Sequence, residues 1–372
     1  MMAREIAVPL AVWAIAAIVM IGPVIARRGR APEFVTTLTL CVLLAASALT
    51  GSGPLAYGLF ALVTIWQAWQ ARVAGVAAVA TFGLSALATA GAALALQSNA
   101  AVPTFLLSVL AVALRAGLMP IHVGVAALCD RAPFRQVEQL GATVILVFIH
   151  ARFADDIPFA HEWAPFIVAY GALFTLVPGL MSLVQPNLRG FYRTATAMHG
   201  GMLVAGLGAS GLGHSAAAIM VIITTAVALG GLGLMVDALE ARAGTVRLAG
   251  SGGRVQAFPR LAVGFALFGA AGVAMPGTAG FIADDLLLHA LWGESVAATV
   301  MIIAGSAALA IGTLRAYAAA FLGPARPSPA PDLHRRERVM TVTLLVLLIT
   351  LGLVPGLLLT PADALLGAEL GW

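Results

Sequence analysis

Met275-Pro276-Gly277-Thr278-Ala279-Gly280-Phe281-Ile282-Ala283-Asp284-Asp285 sits between two apolar runs. Proline removes a backbone donor and clashes with the preceding turn, so this stretch predicts a helix broken in its middle. In hydrocarbon such a break survives only where neighbouring helices or a water-lined cavity satisfy the freed backbone groups. A second interruption runs through Leu114 to Ala127, with Pro120 inside it. Paired interruptions in separate halves of a chain point to a transporter-type fold with internal repeats. A simple proline kink is the alternative that this feature alone leaves open.

The flanks decide the solvent. The 372 residues are 61% hydrophobic and 10% charged, with a mean hydropathy of +1.01. Water-soluble globular domains are roughly half apolar and a quarter charged, so a soluble fold is excluded. Ile6 to Ala26, Val73 to Leu96 and Val339 to Leu359 each reach the roughly 20 apolar residues that a spanning helix needs. A barrel would instead show about ten-residue alternation. The expected fold is all-α and polytopic, with about twelve transmembrane helices, two of them broken. They begin near Ile6, Phe34, Pro54, Val73, Ala101, Arg135, Glu162, Thr194, His214, Arg260, Ser295 and Val339. The first run is followed by Arg27, Arg28 and Arg30 rather than a small-residue cleavage site, which reads as a retained span and not a signal peptide.

Short cytoplasmic loops are enriched in Lys and Arg. Loops after odd-numbered spans carry Arg27, Arg28 and Arg30, then Arg72, Arg131, Arg189 and Arg193, then Arg242, Arg247 and Arg254, and finally Arg326, Arg335, Arg336 and Arg338. Loops after even-numbered spans are uncharged or acidic, with Asp155, Asp156, Glu162 and Glu294, and the tail holds Asp363 and Glu369. Both termini are therefore expected on the non-cytoplasmic side of the cell inner membrane. The formal charge of +4 comes from arginines in separate loops without aromatic interleaving, which argues against nucleic acid. Cys41 and Cys129 lie far apart without ligand spacing, so neither a metal site nor a disulfide framework is supported. No cofactor motif appears. All twenty basic residues are arginine. Glu240 to Pro259 reads as a solvated loop, and Pro324 to Pro331 as a stiff linker.

Ionisable residues inside spans are costly and are functional candidates. Here they are Arg115, His122, Glu138, His150, Arg189, His199, Asp237, Asp284, Asp285 and His289. His150 and Asp237 lie near predicted helix ends, within reach of interfacial water. His199 precedes two glycines and could be a helix-packing contact. Asp284 and Asp285 follow the break, where a carboxylate beside wet, irregular backbone could exchange protons; a helix end at the membrane surface is the other reading.

Asn187-Leu188-Arg189-Gly190-Phe191-Tyr192-Arg193-Thr194-Ala195-Thr196-Ala197-Met198-His199-Gly200-Gly201 resembles, without gaps, the D-[IL]-K-R-[LI]-[LI]-A-Y-S-[ST]-x-S-[HQ]-x-G signature of the antiporter-like subunits of respiratory complex I. The stretch from Met275 to Asp285 is similar to that family's G-x-P-x-[TS]-[AS]-G-F-x-[GS]-[EK]-[FD] broken-helix motif, and Leu114 to Val123 to its G-K-S-A-Q-x-P-[LF]-[HQ]-x-W segment. The resemblance covers residues 54–358, leaving 1–53 as divergent N-terminal spans and 359–372 as a tail. Roughly two N-terminal helices of the family's usual set have no expected counterpart. The resemblance implies a membrane subunit of an ion-coupled complex related to NADH:quinone oxidoreductase or multisubunit cation/proton antiporters, contributing to proton translocation beside other membrane subunits. The contrasting expectation is a non-conducting anchor for a soluble partner, such as a redox module or an inorganic-carbon-uptake protein.

Position by position, the family lysines fall on Arg115 and Arg189, and the ionisable residue of the second broken helix falls on Asp284. The positions of the family's H-x-x-x-H-x-x-x-K relay fall on Val221, Thr225 and Leu229, so that relay is absent, and its early-span glutamate has no acidic counterpart, Gln67 being the candidate position. An arginine stays protonated in proteins and cannot shuttle a proton. The proton path expected from the resemblance therefore uses Asp284 as the exchangeable carboxylate, with Asp285, His122 and His199 on the route and Arg115 and Arg189 as fixed positive charge.

Overall fold

The computed structural model describes residues 9–18, 31–133, 137–153, 160–209 and 216–357. The arginines at 27, 28, 30 and 135, the acidic pair at 155 and 156, His214 and the tail fall outside these residues, as do the side chains of Glu138 and Glu162. The described elements are helical: α1 (Pro9–Ile18), α2 (Ala31–Leu49), α3 (Gly53–Gln70), α4 (Val76–Gln97), α5 (Ala101–Ala116), α6 (Val123–Arg131), α7 (Thr143–Arg152), α8 (Ala160–Ser182), α9 (Leu188–Gly208), α10 (Ala216–Ala243), α11 (Pro259–Ala271), α12 (Ala279–Trp292), α13 (Val296–Phe321) and α14 (Arg335–Leu353). Among the described residues, four helices are long and apolar enough to cross a membrane unaided: Val76–Gln97, Trp163–Ser182, Met220–Ala243 and Val296–Phe321.

Helix α10 is apolar around its whole circumference, the pattern of a helix buried on all sides. It is the central column, packed against α7, α9, α11, α12 and α14. By contrast α4 and α13 bury one face each and turn Leu84, Leu87, Ile311 and Leu314 outward.

Both interruptions are breaks between half-helices. Helix α5 ends at Gly117, whose φ of +71° is a left-handed cap that glycine adopts without strain, and α6 resumes after His122. Helix α11 ends at Ala271, and α12 starts after Thr278, across a turn with Gly277 at φ +87°. Backbone groups at the breaks find new partners: the Leu118 N–H donates to Ala113 O, the Met275 N–H to Ala270 O, and the Tyr170 hydroxyl from α8 to Met119 O at 2.8 Å.

Helices α8 and α9 lie between the two breaks. Lipid gives apolar helices no hydrophobic reason to associate, so close packing through small residues takes over. A Cβ on Gly171 would sit 2.3 Å from the Ala205 nitrogen, and one on Gly201 would sit 2.4 Å from the Phe174 carbonyl. Gly179 and Gly305 bring α8 as close to α13. Helix α9 starts at Leu188, six residues ahead of the expected Thr194, because the Asn187 side chain caps it by accepting from the Gly190 N–H at 2.7 Å.

The expected solvated loop from Glu240 to Pro259 is exposed around Gly244, Thr245 and Ala249–Ser251 but packed down elsewhere. Val246, Leu248 and Phe258 are buried, and Gly252 and Gly253 pass so close to Ala320 and Pro324 that a side chain would collide. The linker from Pro324 is pinned too, with Arg326 N–H donating to Gly253 O at 2.8 Å. Beside it, Arg242 and Glu337 form an ion pair at 2.5 Å with both side chains 5% exposed. The same guanidinium donates to the Asp332 carbonyl, and the Asp332 carboxylate accepts from the Arg260 and Leu261 N–H groups that open α11. The clamp joins α10, α11 and α14.

Gly201→Ala is expected to cost about 1–3 kcal/mol through overpacking and to lower the melting temperature of the purified protein; Gly58→Ala, with open space around it, should leave it unchanged. Glu337→Gln should cost about 3–5 kcal/mol by stranding a buried arginine. Asp130→Asn, at the exposed pair with Arg193, should cost less than about 1 kcal/mol in the same assay.

Candidate functional site

Arg115, in the last turn of α5, is 0% exposed. Its Nη1 donates to Gln67 Oε1 at 2.7 Å and to Thr64 Oγ1 at 3.3 Å, and its Nε to Thr143 Oγ1 at 3.3 Å. Phe60 and Phe82 lie against the guanidinium, their ring centroids 5.1 and 5.5 Å away. Nη2 is buried without a hydrogen-bond partner among the described residues. The guanidinium borders a cavity of about 40 Å3 that also touches Thr143, Thr196, Gly200, Thr225 and Leu229. Glycine at 200 lets α9 approach the end of α5, since a Cβ there would sit 2.5 Å from that of Ala116.

The break that follows Arg115 borders a second cavity, of about 50 Å3, lined in part by Gly117, His122 and Arg193. The Nδ1 of His122 is buried and has no partner among the described residues. One residue before Gly200, His199 has Nδ1 hydrogen-bonded to Ala195 O at 2.8 Å, and its ring lies beside Gly272 at the second break, where a Cβ on that glycine would sit 3.6 Å from the ring's Cε1. Helix α9 thus meets α5 through Gly200 and the second break through His199.

The two aspartates after that break divide between faces of α12. Asp284 lies on the i, i+4, i+7 stripe of buried Gly280, Leu287 and Leu291. It is half-buried and has neither a hydrogen bond nor an ion pair among the described residues. Asp285 follows Phe281 on the outward stripe with His289 and Trp292. Its carboxylate is 55% exposed, 3.6 Å from the His289 ring, which is 82% exposed.

A family model described as NADH:quinone oxidoreductase/Mrp antiporter, TM, matches residues 35–311. The chain belongs to this antiporter family. It is 26% identical over 203 residues to NADH-quinone oxidoreductase subunit M of Rickettsia conorii (strain ATCC VR-613 / Malish 7), covering 54% of this chain and 41% of that protein. To the same-named subunit of Rhodobacter capsulatus it is 23% identical over 252 residues, covering 66% of this chain and 49% of that protein. The chain therefore spans less than half the length of these relatives. A chain of respiratory complex I from Thermus thermophilus with bound NADH has the same fold, with a TM-score of 0.81, 18% identity, and coverage of 96% of this chain and 83% of that one. A chain of the Mrp complex from Dietzia sp. DQ12-45-1b superposes with a TM-score of 0.79 at 16% identity, covering 98% and 83%.

Within this antiporter-family chain the expected site residues separate into groups. Arg115 and His122 flank the first break, while His199 and Asp284 belong to the second. Gln67 stands in contact with Arg115, and Thr225 and Leu229 line its cavity, with Val221 buried one turn earlier on α10. Arg189 sits apart, at the start of α9: it pairs with Glu240 at 2.6 Å and donates to Ala132 O at 2.8 Å, tying α9 to α10 and the end of α6. Two expectations are corrected. His150 and Asp237 are buried and do not reach interfacial water. The end of α7 packs into the bundle, so His150 Nδ1 meets Ser108 Oγ at 2.7 Å and Tyr57 OH at 3.4 Å, against the Phe105 ring. Tyr170, which closes the first break, belongs to none of the sequence motifs; its one signal was a hydroxyl in an apolar span that needs a partner.

Thr143→Val keeps the volume but leaves the Arg115 Nε unpaired, an expected loss of about 1–3 kcal/mol. Thr89→Val removes a hydroxyl bonded only to its own helix, at Ser85 O, and should cost under about 1 kcal/mol. Thermal unfolding of the two variants in one detergent compares them.

Proposed function

We propose that this chain is the antiporter-like membrane subunit of a larger ion-coupled assembly and contributes a proton path to it. In this reading about twelve spans, centred on residues 54–358, lie in the cell inner membrane. The arginine-bearing loops face the cytoplasm and both termini face the other side. Other membrane subunits adjoin it, and any redox chemistry comes from partners, a soluble module among them.

One observation carries the assignment of the carrier. Asp284 is a carboxylate on the inward face of a half-helix that starts at a break, and no basic group among the described residues holds it ionised. A carboxylate in that setting can alternate between charged and neutral forms, whereas Arg115 cannot. His199, whose ring lies beside Gly272 at the break that precedes Asp284, is the titratable group on the route there, and His122 lines the cavity beside the first break. Arg115 supplies fixed positive charge. Arg189, engaged by Glu240, supports the route by fixing α9. Asp285 lies on the outward stripe with His289, so exchange is assigned to Asp284.

Proton flux in vesicles holding the purified complex tests this reading. Asp284→Asn, near-isosteric and without a titratable charge, is expected to cut flux at least about tenfold, equivalent to a 1.4 kcal/mol barrier, with the complex still assembled. Asp285→Asn should retain most of it. Unchanged flux in Asp284→Asn would remove the carrier role and leave the anchoring reading.

A further inference from the structure

The cavity beside Arg115 holds a fixed charge without a visible counter-charge. Arginine has five N–H donors and no acceptor. Three hydrogen bonds from Nε and Nη1 go to neutral oxygens, of Thr143, Thr64 and Gln67, and the ring faces of Phe60 and Phe82 complete the shell. The two N–H bonds of Nη2 remain unused on a side chain that is 0% exposed. Among the described residues no carboxylate reaches the guanidinium. An isolated ion is the most costly group to bury in a low-dielectric interior, and this one cannot shed its proton to escape the cost.

The cavity offers the missing partner a place. Its volume of about 40 Å3 exceeds the roughly 10–15 Å3 that one water needs. The walls are chiefly apolar, with hydroxyls from Thr143 and Thr225 among them. The Thr143 oxygen already accepts from Nε, which leaves its proton to donate. Cation and hydroxyl protons together form a donor set for something small, spherical and negatively charged. We propose that this cavity binds a small inorganic monovalent anion, of the chloride class, as the counter-ion of Arg115. The site lies between α5, α7, α9 and α10, so an anion there would link the first broken helix to the central column. This goes beyond the proton path and does not depend on Asp284.

Chloride itself is the probe. Purified protein in detergent is melted over a chloride titration, with gluconate holding ionic strength constant. The expected result is a saturable rise in melting temperature with chloride, reproduced by bromide and absent with gluconate. Arg115→Gln should abolish the response. Because that variant could fail to fold, Gln67→Glu provides the second arm: it places a carboxylate beside Nη1, supplies the counter-charge internally, and should abolish the chloride response in a folded protein. Thr225→Val should weaken the apparent affinity about tenfold through one lost hydrogen bond to a charge. An identical native melting temperature in chloride and gluconate would mean that the cavity holds water only, and would overturn the proposal. So would a response that persists undiminished in Gln67→Glu. A native protein indifferent to chloride that becomes responsive in Glu138→Gln would assign the counter-charge to Glu138, and would overturn the proposal equally.

Discussion

Hydrocarbon provides no partner for a peptide N–H or C=O, and this constraint orders the whole bundle. A chain that interrupts two of its apolar helices must find new partners for the loosened peptide groups. Here the turns supply some of them, with Leu118 N–H bonding Ala113 O and Met275 N–H bonding Ala270 O, and the pair α8 and α9 closes over the rest: Tyr170 of α8 reaches the carbonyl of Met119, and the His199 ring of α9 lies beside Gly272. The pair can lie between the breaks only because Gly171 and Gly201 bring its two backbones together and Gly200 admits the end of α5. Packing, backbone satisfaction and the position of the titratable groups are thus one arrangement.

Much of this arrangement was legible. The Pro276 and Pro120 stretches marked the breaks, because proline in an apolar run has few other meanings. The motif around His199 fell on α9, which meets the end of α5 through Gly200 and the second break through His199. The separation of Asp284 from Asp285 was available from helical spacing alone: Gly280, Asp284, Leu287 and Leu291 form one stripe, and Phe281, Asp285, His289 and Trp292 another.

Other features were not legible, for a shared physical reason. Distance along the chain from a helix end says little about distance from water when the end itself is packed. His150 lies close to the end of α7 yet touches Ser108 and Tyr57 from two other helices. The segment after Glu240 looks like a solvated loop by composition, since glycine and arginine suit water. Its glycines instead permit close passage over Ala320 and Pro324, and Arg242 is consumed by a glutamate 95 residues away. Polar residues whose partners are remote in sequence leave no local pattern to read.

The Arg242–Glu337 clamp also restricts how the second broken helix can deform. It ties the end of α10 to the start of α14, while Asp332 holds the first peptide groups of α11. The chain between residues 242 and 337 is in effect a closed ring, fastened at one rim of the bundle, with α11, the break, α12 and α13 inside it. A half-helix with its outer end anchored cannot swing as a lever. The unwound turn is held as well, since Gly352 of α14 packs directly on Gly277 and Thr278, so the same helix that closes the ring at its rim also braces the break inside it.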